Sequence, residues 1–181
     1  PKFLHYKPHI TIITGIAWDH MNVFPTYPDY LRQFRMLIES LGADDTLIYC
    51  AEDQDLVDLV AEISPVCITI PYRTHDYMLE EGTVIIKDEE GTAFPLEIFG
   101  NHNLQNLKAA QLATHIAGLS SKDFYNSIQS FTGASKRLQT LHVEERLTSY
   151  LDFAHAPSKV RATVNAVREK HPNAYIIACL E

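Results

Sequence analysis

The chain has 181 residues, 46% of them hydrophobic, enough apolar material for one or two compact domains rather than a disordered segment. Fifteen Lys and Arg stand against 23 Asp and Glu, and the net charge of -8 repels polyphosphate backbones, which makes nucleic acid a poor partner. No apolar run reaches the roughly 18 residues needed to cross a bilayer and the first residues carry no signal-peptide pattern, so a cytoplasmic protein without a membrane partner is expected.

Residues 10–14 form a β-branched apolar run, followed by a loop over 15–28 and a helical pattern with Leu31, Phe34, Ile38 and Leu41 on one face. Residues 46–50 read as a second strand, 55–63 as a short helix and 66–70 as a third strand. Strands alternating with helices imply a parallel sheet covered on both faces. From 72 to 99 the pattern changes to alternating strands, with Asp88-Glu89-Glu90-Gly91 as the turn between 84–87 and 92–96, a small antiparallel appendage. Helices are expected over 103–117, stopped by Gly118, and over 121–131, where Ser120 and Asp123 make a capping-box-like start. A strand over 147–153, a helix opened by Pro157 with Val160, Val164 and Val167 facing inward, and a strand over 175–180 read as a fresh β-α-β unit. The expected organisation is therefore one α/β domain over 1–140 and the first unit of another over 141–181. One crossover cannot bury both of its faces, so the chain is expected to self-associate or to fold that unit against its first domain. Cys50, Cys67 and Cys179 are three, widely spaced, and each lies in a run resembling a buried strand, which argues against a disulfide framework or a zinc site. The chain starts at Pro1 and stops at Glu181 directly after an apolar run, and both ends are expected to be cuts in a longer protein.

Four segments have residue types that suit chemistry. Trp18-Asp19-His20-Met21-Asn22 falls at the carboxyl end of the first strand, where open α/β sheets place ligands; His20 could ligate a divalent metal or touch phosphate, or the pair could serve only a solvated capping loop. Gly100-Asn101-His102-Asn103-Leu104-Gln105-Asn106 crowds amides and an imidazole at a helix start, suited to a nucleotide or an anion, although plain N-capping explains one of them. Gly133-Ala134-Ser135-Lys136-Arg137 ends in two cations that could hold phosphate or form an ordinary basic turn. Asp152-Phe153-Ala154-His155-Ala156-Pro157 leaves a strand for a helix; its carboxylate could bind ribose hydroxyls or belong to a common β-α loop.

Together, in this order and spacing, the four segments resemble the signature set of the Mur ligase family: a DHMD-like loop, a G-x-HN-x-x-N helix start, a G-x-x-x-R-R/H-R linker and a D-[YF]-[GA]-H-H-P loop. The similarity spans nearly the whole chain. It implies part of the central ATP-binding domain, without its phosphate-binding loop, followed by the start of a Rossmann-like carboxy-terminal domain. The activity it implies is ATP- and Mg2+-dependent ligation of an amino acid or peptide to UDP-N-acetylmuramate, through an acyl phosphate, in peptidoglycan metabolism. Phe3-Leu4-His5-Tyr6-Lys7-Pro8 and Asp152-Phe153-Ala154-His155 look most like the branch that joins the murein peptide L-alanyl-γ-D-glutamyl-meso-diaminopimelate; a neighbouring branch adds L-alanine. Carried over, the resemblance makes His20 a magnesium ligand or neighbour, makes His20 and Arg137 catalytic, gives His102, Asn103 and Asn106 to adenine, Arg137 and Asp152 to phosphate and ribose, and His155 to the substrate cleft. Asn22, Lys136 and Ala156 depart from the family pattern, and Arg35 stands about where some members carry a carbamylated lysine, a device expected to be absent here. The sequence holds no G-x-x-x-x-G-K-[ST], so the 181-residue chain alone is expected to be inactive. The rival readings are a non-catalytic α/β interaction domain and a ligase for another acid, of the folate polyglutamate or cyanophycin type.

Overall fold

The computed structural model describes residues 2–180, which fall into two compact units: residues up to Thr74 with Gln105–Gly118, and His75–Leu104 with 119–180. In the first unit β1 (Ile10–Ile13), β2 (Thr46–Cys50) and β3 (Ile68–Tyr72) form a parallel sheet in the order β1-β2-β3. The central strand, β2, carries Leu47 and Ile48 side by side and both are fully buried, so both faces of the sheet are covered. Helices α1 (Tyr27–Glu39) and α2 (Gln54–Ile63) contribute Leu37, Ile38, Leu56, Leu59 and Val60 to that core, and α3 (Asn101–Ile116) contributes Ala109. Each helix start has a local cause. Thr26 caps α1 by accepting from the Asp29 N–H ahead of Pro28, and Asp53 caps α2 by accepting from the Leu56 N–H. The third strand lies two residues later than expected, because Ser64 closes α2 in a left-handed conformation and Pro65 and Val66 are spent on the turn.

In the second unit β4 (Tyr77–Glu80), β5 (Thr83–Lys87) and β6 (Ala93–Leu96) form the expected antiparallel sheet, in that order. Glu81 and Gly82 both take positive φ, the geometry of a two-residue hairpin whose twist matches its strands. The Asp88 carboxylate accepts from the Glu90 and Thr92 N–H groups and fixes the β5-β6 turn. Alternation buries Val84 and Ile86 on β5 and Phe94 and Leu96 on β6, and the outer strand tolerates Pro95. Helix α4 (Ser121–Ile128) opens on Ser120, whose hydroxyl accepts from the Asp123 N–H, and its Tyr125 ring stacks on Phe94 at 5.0 Å. Tyr125 also hydrogen-bonds His75, which is buried.

The region after Gly133 corrects the expectation in three places. Residues 147–153 do not begin a parallel β-α-β unit: β8 (Leu147–Leu151) pairs antiparallel with β7 (Gln139–Glu144) across Glu145-Arg146, a hairpin bulged between Thr140 and His142. Helix α5 (Pro157–Lys170) forms as expected, but residues 175–180 form no strand. A strand persists only where its N–H and C=O groups find a ladder; β8 pairs with β7, and 175–180 pairs with nothing among the described residues. For the same reason Cys179 is exposed, unlike the buried Cys50 and Cys67. Among the described residues no helix is long and apolar enough to cross a membrane.

Candidate functional site

In the first unit the chain leaves β1 through Gly15 and Ile16, and the Ile16 N–H donates to Asp53 Oδ2 at 2.7 Å while the other oxygen of that carboxylate caps α2. One aspartate thus joins the two loops that follow β1 and β2. His20 comes four residues later with φ 54, its N–H bound to Asp19 Oδ1 at 2.7 Å and its carbonyl accepting from the Val23 and Phe24 N–H groups. Its imidazole is exposed. The loop is fastened on its far side by the Trp18 indole, which donates to the Phe24 carbonyl at 3.1 Å, and by the hydroxyl of Tyr27, which donates to Asp55. Burial and the Asp55 carboxylate push the Tyr27 phenol well above its ordinary range. Asn106 is exposed on α3 next to Gln105, whose amide donates to Glu52. Burial alone would raise the Glu52 carboxyl, but donors from the Thr74 N–H, the Thr74 hydroxyl and Gln105, with Arg73 nearby, hold it below its ordinary value. Arg35 pairs with Glu62 at 2.7 Å and approaches Glu39. A groove of about 460 Å³ runs along the open edge of β1 from Phe3 to Gly15, and none of the candidate residues lines it.

Of the candidates in the second unit, Arg137 and Asp152 each lie within electrostatic reach of His102. Gly100 opens α3 with φ +87 and accepts from the Asn103 and Leu104 N–H groups. A Cβ there would meet Ala166 Cβ of α5 at 2.5 Å, so glycine is required both for the turn and for the close approach of that helix. His102 Nδ1 is buried without a hydrogen-bond partner. Orphaned polar atoms are rare, and this one stands at a helix start, where N–H groups suit a nucleotide or an anion. Asn103 donates its side-chain amide to the Phe99 carbonyl just ahead of the helix. Arg137 places its guanidinium carbon 5.7 Å from the Phe153 ring centre, and the His155 ring packs 5.1 Å from the same phenyl. Asp152 Oδ1 accepts from the Ala154 N–H, and Oδ2 from the Leu138 N–H and the Thr163 hydroxyl. A carboxylate has about four acceptor positions, so one remains open.

Burial lowers the His102 pKa from its ordinary 6.5, Asp152 opposes the shift and Arg137 adds to it. With the folded value below the unfolded one, the unfolded state binds its proton first, so stability is full above 6.5 and falls as pH drops from there through the folded value. His102→Gln should therefore shrink the loss of urea midpoint between about pH 7.5 and 5.5. It should not abolish it, because His171 is also lowered, by burial and then by Lys170. An unchanged pH slope would show that His102 is protonated equally in both states.

Sequence reasoning missed Asp53, Glu52 and Thr163. Asp53 carried a signal, since it stands three residues before the first buried position of α2. Thr163 carried none, because its partner is distant in sequence and appears only once α5 is docked.

The magnesium that the resemblance implies would find one carboxylate and one imidazole, Asp19 and His20, on the loop after β1. No cluster of three or more ligating side chains occurs among the described residues. Magnesium is usually held by one or two carboxylates together with substrate phosphates, and on this loop Asp19 supplies one carboxylate.

The chain is 27% identical over 184 residues to UDP-N-acetylmuramate--L-alanine ligase of Desulforamulus reducens, with 94% of this chain and 39% of the relative covered. It is equally 27% identical to UDP-N-acetylmuramate--L-alanyl-gamma-D-glutamyl-meso-2,6-diaminoheptandioate ligase of Haemophilus influenzae, with 93% and 39% covered. The chain thus spans about two-fifths of the length of these relatives. The fold matches the crystal structure of MurF from Acinetobacter baumannii with a TM-score of 0.75 at 17% identity, over 91% of this chain and 38% of that one. The Mur ligase middle domain model matches residues 2–114, more than half of the chain, and the chain belongs to the Mur ligase middle-domain family.

Proposed function

We propose that this chain is the central part of an ATP-dependent ligase that joins L-alanyl-γ-D-glutamyl-meso-diaminopimelate to the carboxyl group of UDP-N-acetylmuramate. Members of the family are ATP-dependent ligases of peptidoglycan synthesis. The observation that carries the reading is the buried, unpartnered His102 Nδ1 at the start of α3, with Arg137 and Asp152 in its neighbourhood. In this reading residues 1–140 belong to the ATP-binding domain and 141–181 open the next, and the 181-residue chain has no turnover of its own.

The muramoyl carboxylate attacks the γ-phosphate of ATP, and the incoming amine displaces phosphate from the resulting acyl phosphate. A carboxylate and a triphosphate repel each other, so the site must neutralise charge while holding them in line. Arg137 binds a phosphate or ribose oxygen, Asp152 accepts from ribose, and His102, Asn103 and Asn106 hold the adenine. Asp19 and His20 would hold magnesium, which supplies charge neutralisation at the transferring phosphoryl group. His155 lines the substrate cleft.

The amine is the open choice. The motifs around 3–8 and 152–155 favour the tripeptide, whereas the Desulforamulus reducens relative, matched at the same identity, favours L-alanine as the second reading. With the full-length enzyme, UDP-N-acetylmuramate and ATP, phosphate release should be many-fold more efficient with tripeptide than with L-alanine, judged by the ratio of kcat/KM. The reverse ratio selects the second reading, and no release with either amine removes both.

A further inference from the structure

Lys136 and Leu138 both have positive φ, 56 and 47, although neither is glycine, and Leu138 is buried. Backbone in this region is costly for a branched side chain and persists only where its surroundings over-determine it. Here four contacts do so. The Lys136 N–H donates to Gln139 Oε1 at 3.0 Å and its carbonyl accepts from the Phe153 N–H at 2.9 Å. The Arg137 N–H donates to the Ala134 carbonyl, and the Leu138 N–H to Asp152 Oδ2 at 3.0 Å. Arg137 is thus held between two left-handed residues.

The last of these contacts depends on the orientation of Asp152, and Thr163 decides that orientation from within α5. A threonine in a helix ordinarily returns its hydroxyl to the carbonyl one turn back. Thr163 instead donates to Asp152 Oδ2 at 3.0 Å, the oxygen that receives the Leu138 N–H. Valine has nearly the same shape and would suit this half-buried position beside Val160, Val164 and Val167, so the hydroxyl is what distinguishes the residue. We infer that Thr163 is a positioning residue: acting through Asp152, it fixes the left-handed turn that aims the Arg137 guanidinium at the nucleotide. The aiming rests on the function proposed above; the fixing of the turn does not.

Two variants, Thr163→Val and Thr163→Ser, test it with two readouts. In the 181-residue chain, amide exchange of Leu138 should speed up about tenfold in Thr163→Val and stay within about twofold in Thr163→Ser, the size of one charge-assisted hydrogen bond. In the full-length ligase, Thr163→Val should raise the KM for ATP by about tenfold with kcat little changed, and Thr163→Ser should restore it. Unchanged Leu138 exchange in Thr163→Val overturns the inference. So does faster exchange with an unaltered KM, since Thr163 would then be structural only. A wild-type full-length protein without ATP-dependent turnover sinks the proposed function instead, and the exchange rates still decide whether Thr163 sets the turn.

Discussion

His20→Ala in the full-length enzyme should lower kcat by about a hundredfold or more while the KM for ATP changes little, the signature of a group that acts only as charge develops at the reacting phosphate. The loop that presents His20 is built independently of its imidazole: the backbone bonds to Asp19, Val23 and Phe24 and the Trp18 contact hold the turn. Because His20 has φ 54, alanine adds some backbone strain, and His20→Asn, which tolerates that region, separates the two effects. Both variants should lose turnover alike. Asp152→Ala should instead raise the ATP requirement, as loss of ground-state binding does. If His20 and Asp152 variants share one kinetic pattern, the division of roles is wrong.

Gly100→Val should displace α5 and cost several kcal/mol of unfolding free energy, on the order of a strained left-handed valine plus an overpacked contact. The added Cβ would meet Ala166 at 2.5 Å and His102 Cε1 at 3.3 Å. Ala166 is the one fully buried residue of α5, so little slack exists for the helix to retreat without leaving its seat. Guanidinium unfolding and amide protection along α5 would record the effect. Normal protection of Val164 to Val167 in the variant would mean that α5 is held chiefly by its other contacts, among them Thr163 to Asp152 and Tyr77 to Glu169.

The candidate site was legible as a set of motifs and not as a geometry. Asn103, an adenine ligand by resemblance, also serves the Phe99 carbonyl just ahead of its own helix. Asp152, a ribose acceptor by resemblance, is already engaged by three donors from the chain itself. The contacts of Asp152 to Leu138 and Thr163 join residues 14 and 11 apart in sequence and leave no local pattern to find.

The sequence by itself determined the elements whose causes are local. The β-branched runs became β1 and β2, Ser120 and Pro157 began α4 and α5, Gly118 ended α3, and the acidic turn at Asp88 made a hairpin. Each follows from side-chain shape, a cap or a permitted φ within a few residues. Pairing is different, because a strand is defined by its partner. Residues 147–151 and 175–180 both carry a strand-like pattern, yet only the first is a strand, and it pairs antiparallel to a neighbour the pattern did not announce. Tertiary structure also decided the uses of Gly100 and Thr163, since a close approach and a shared carboxylate exist only after α5 has docked.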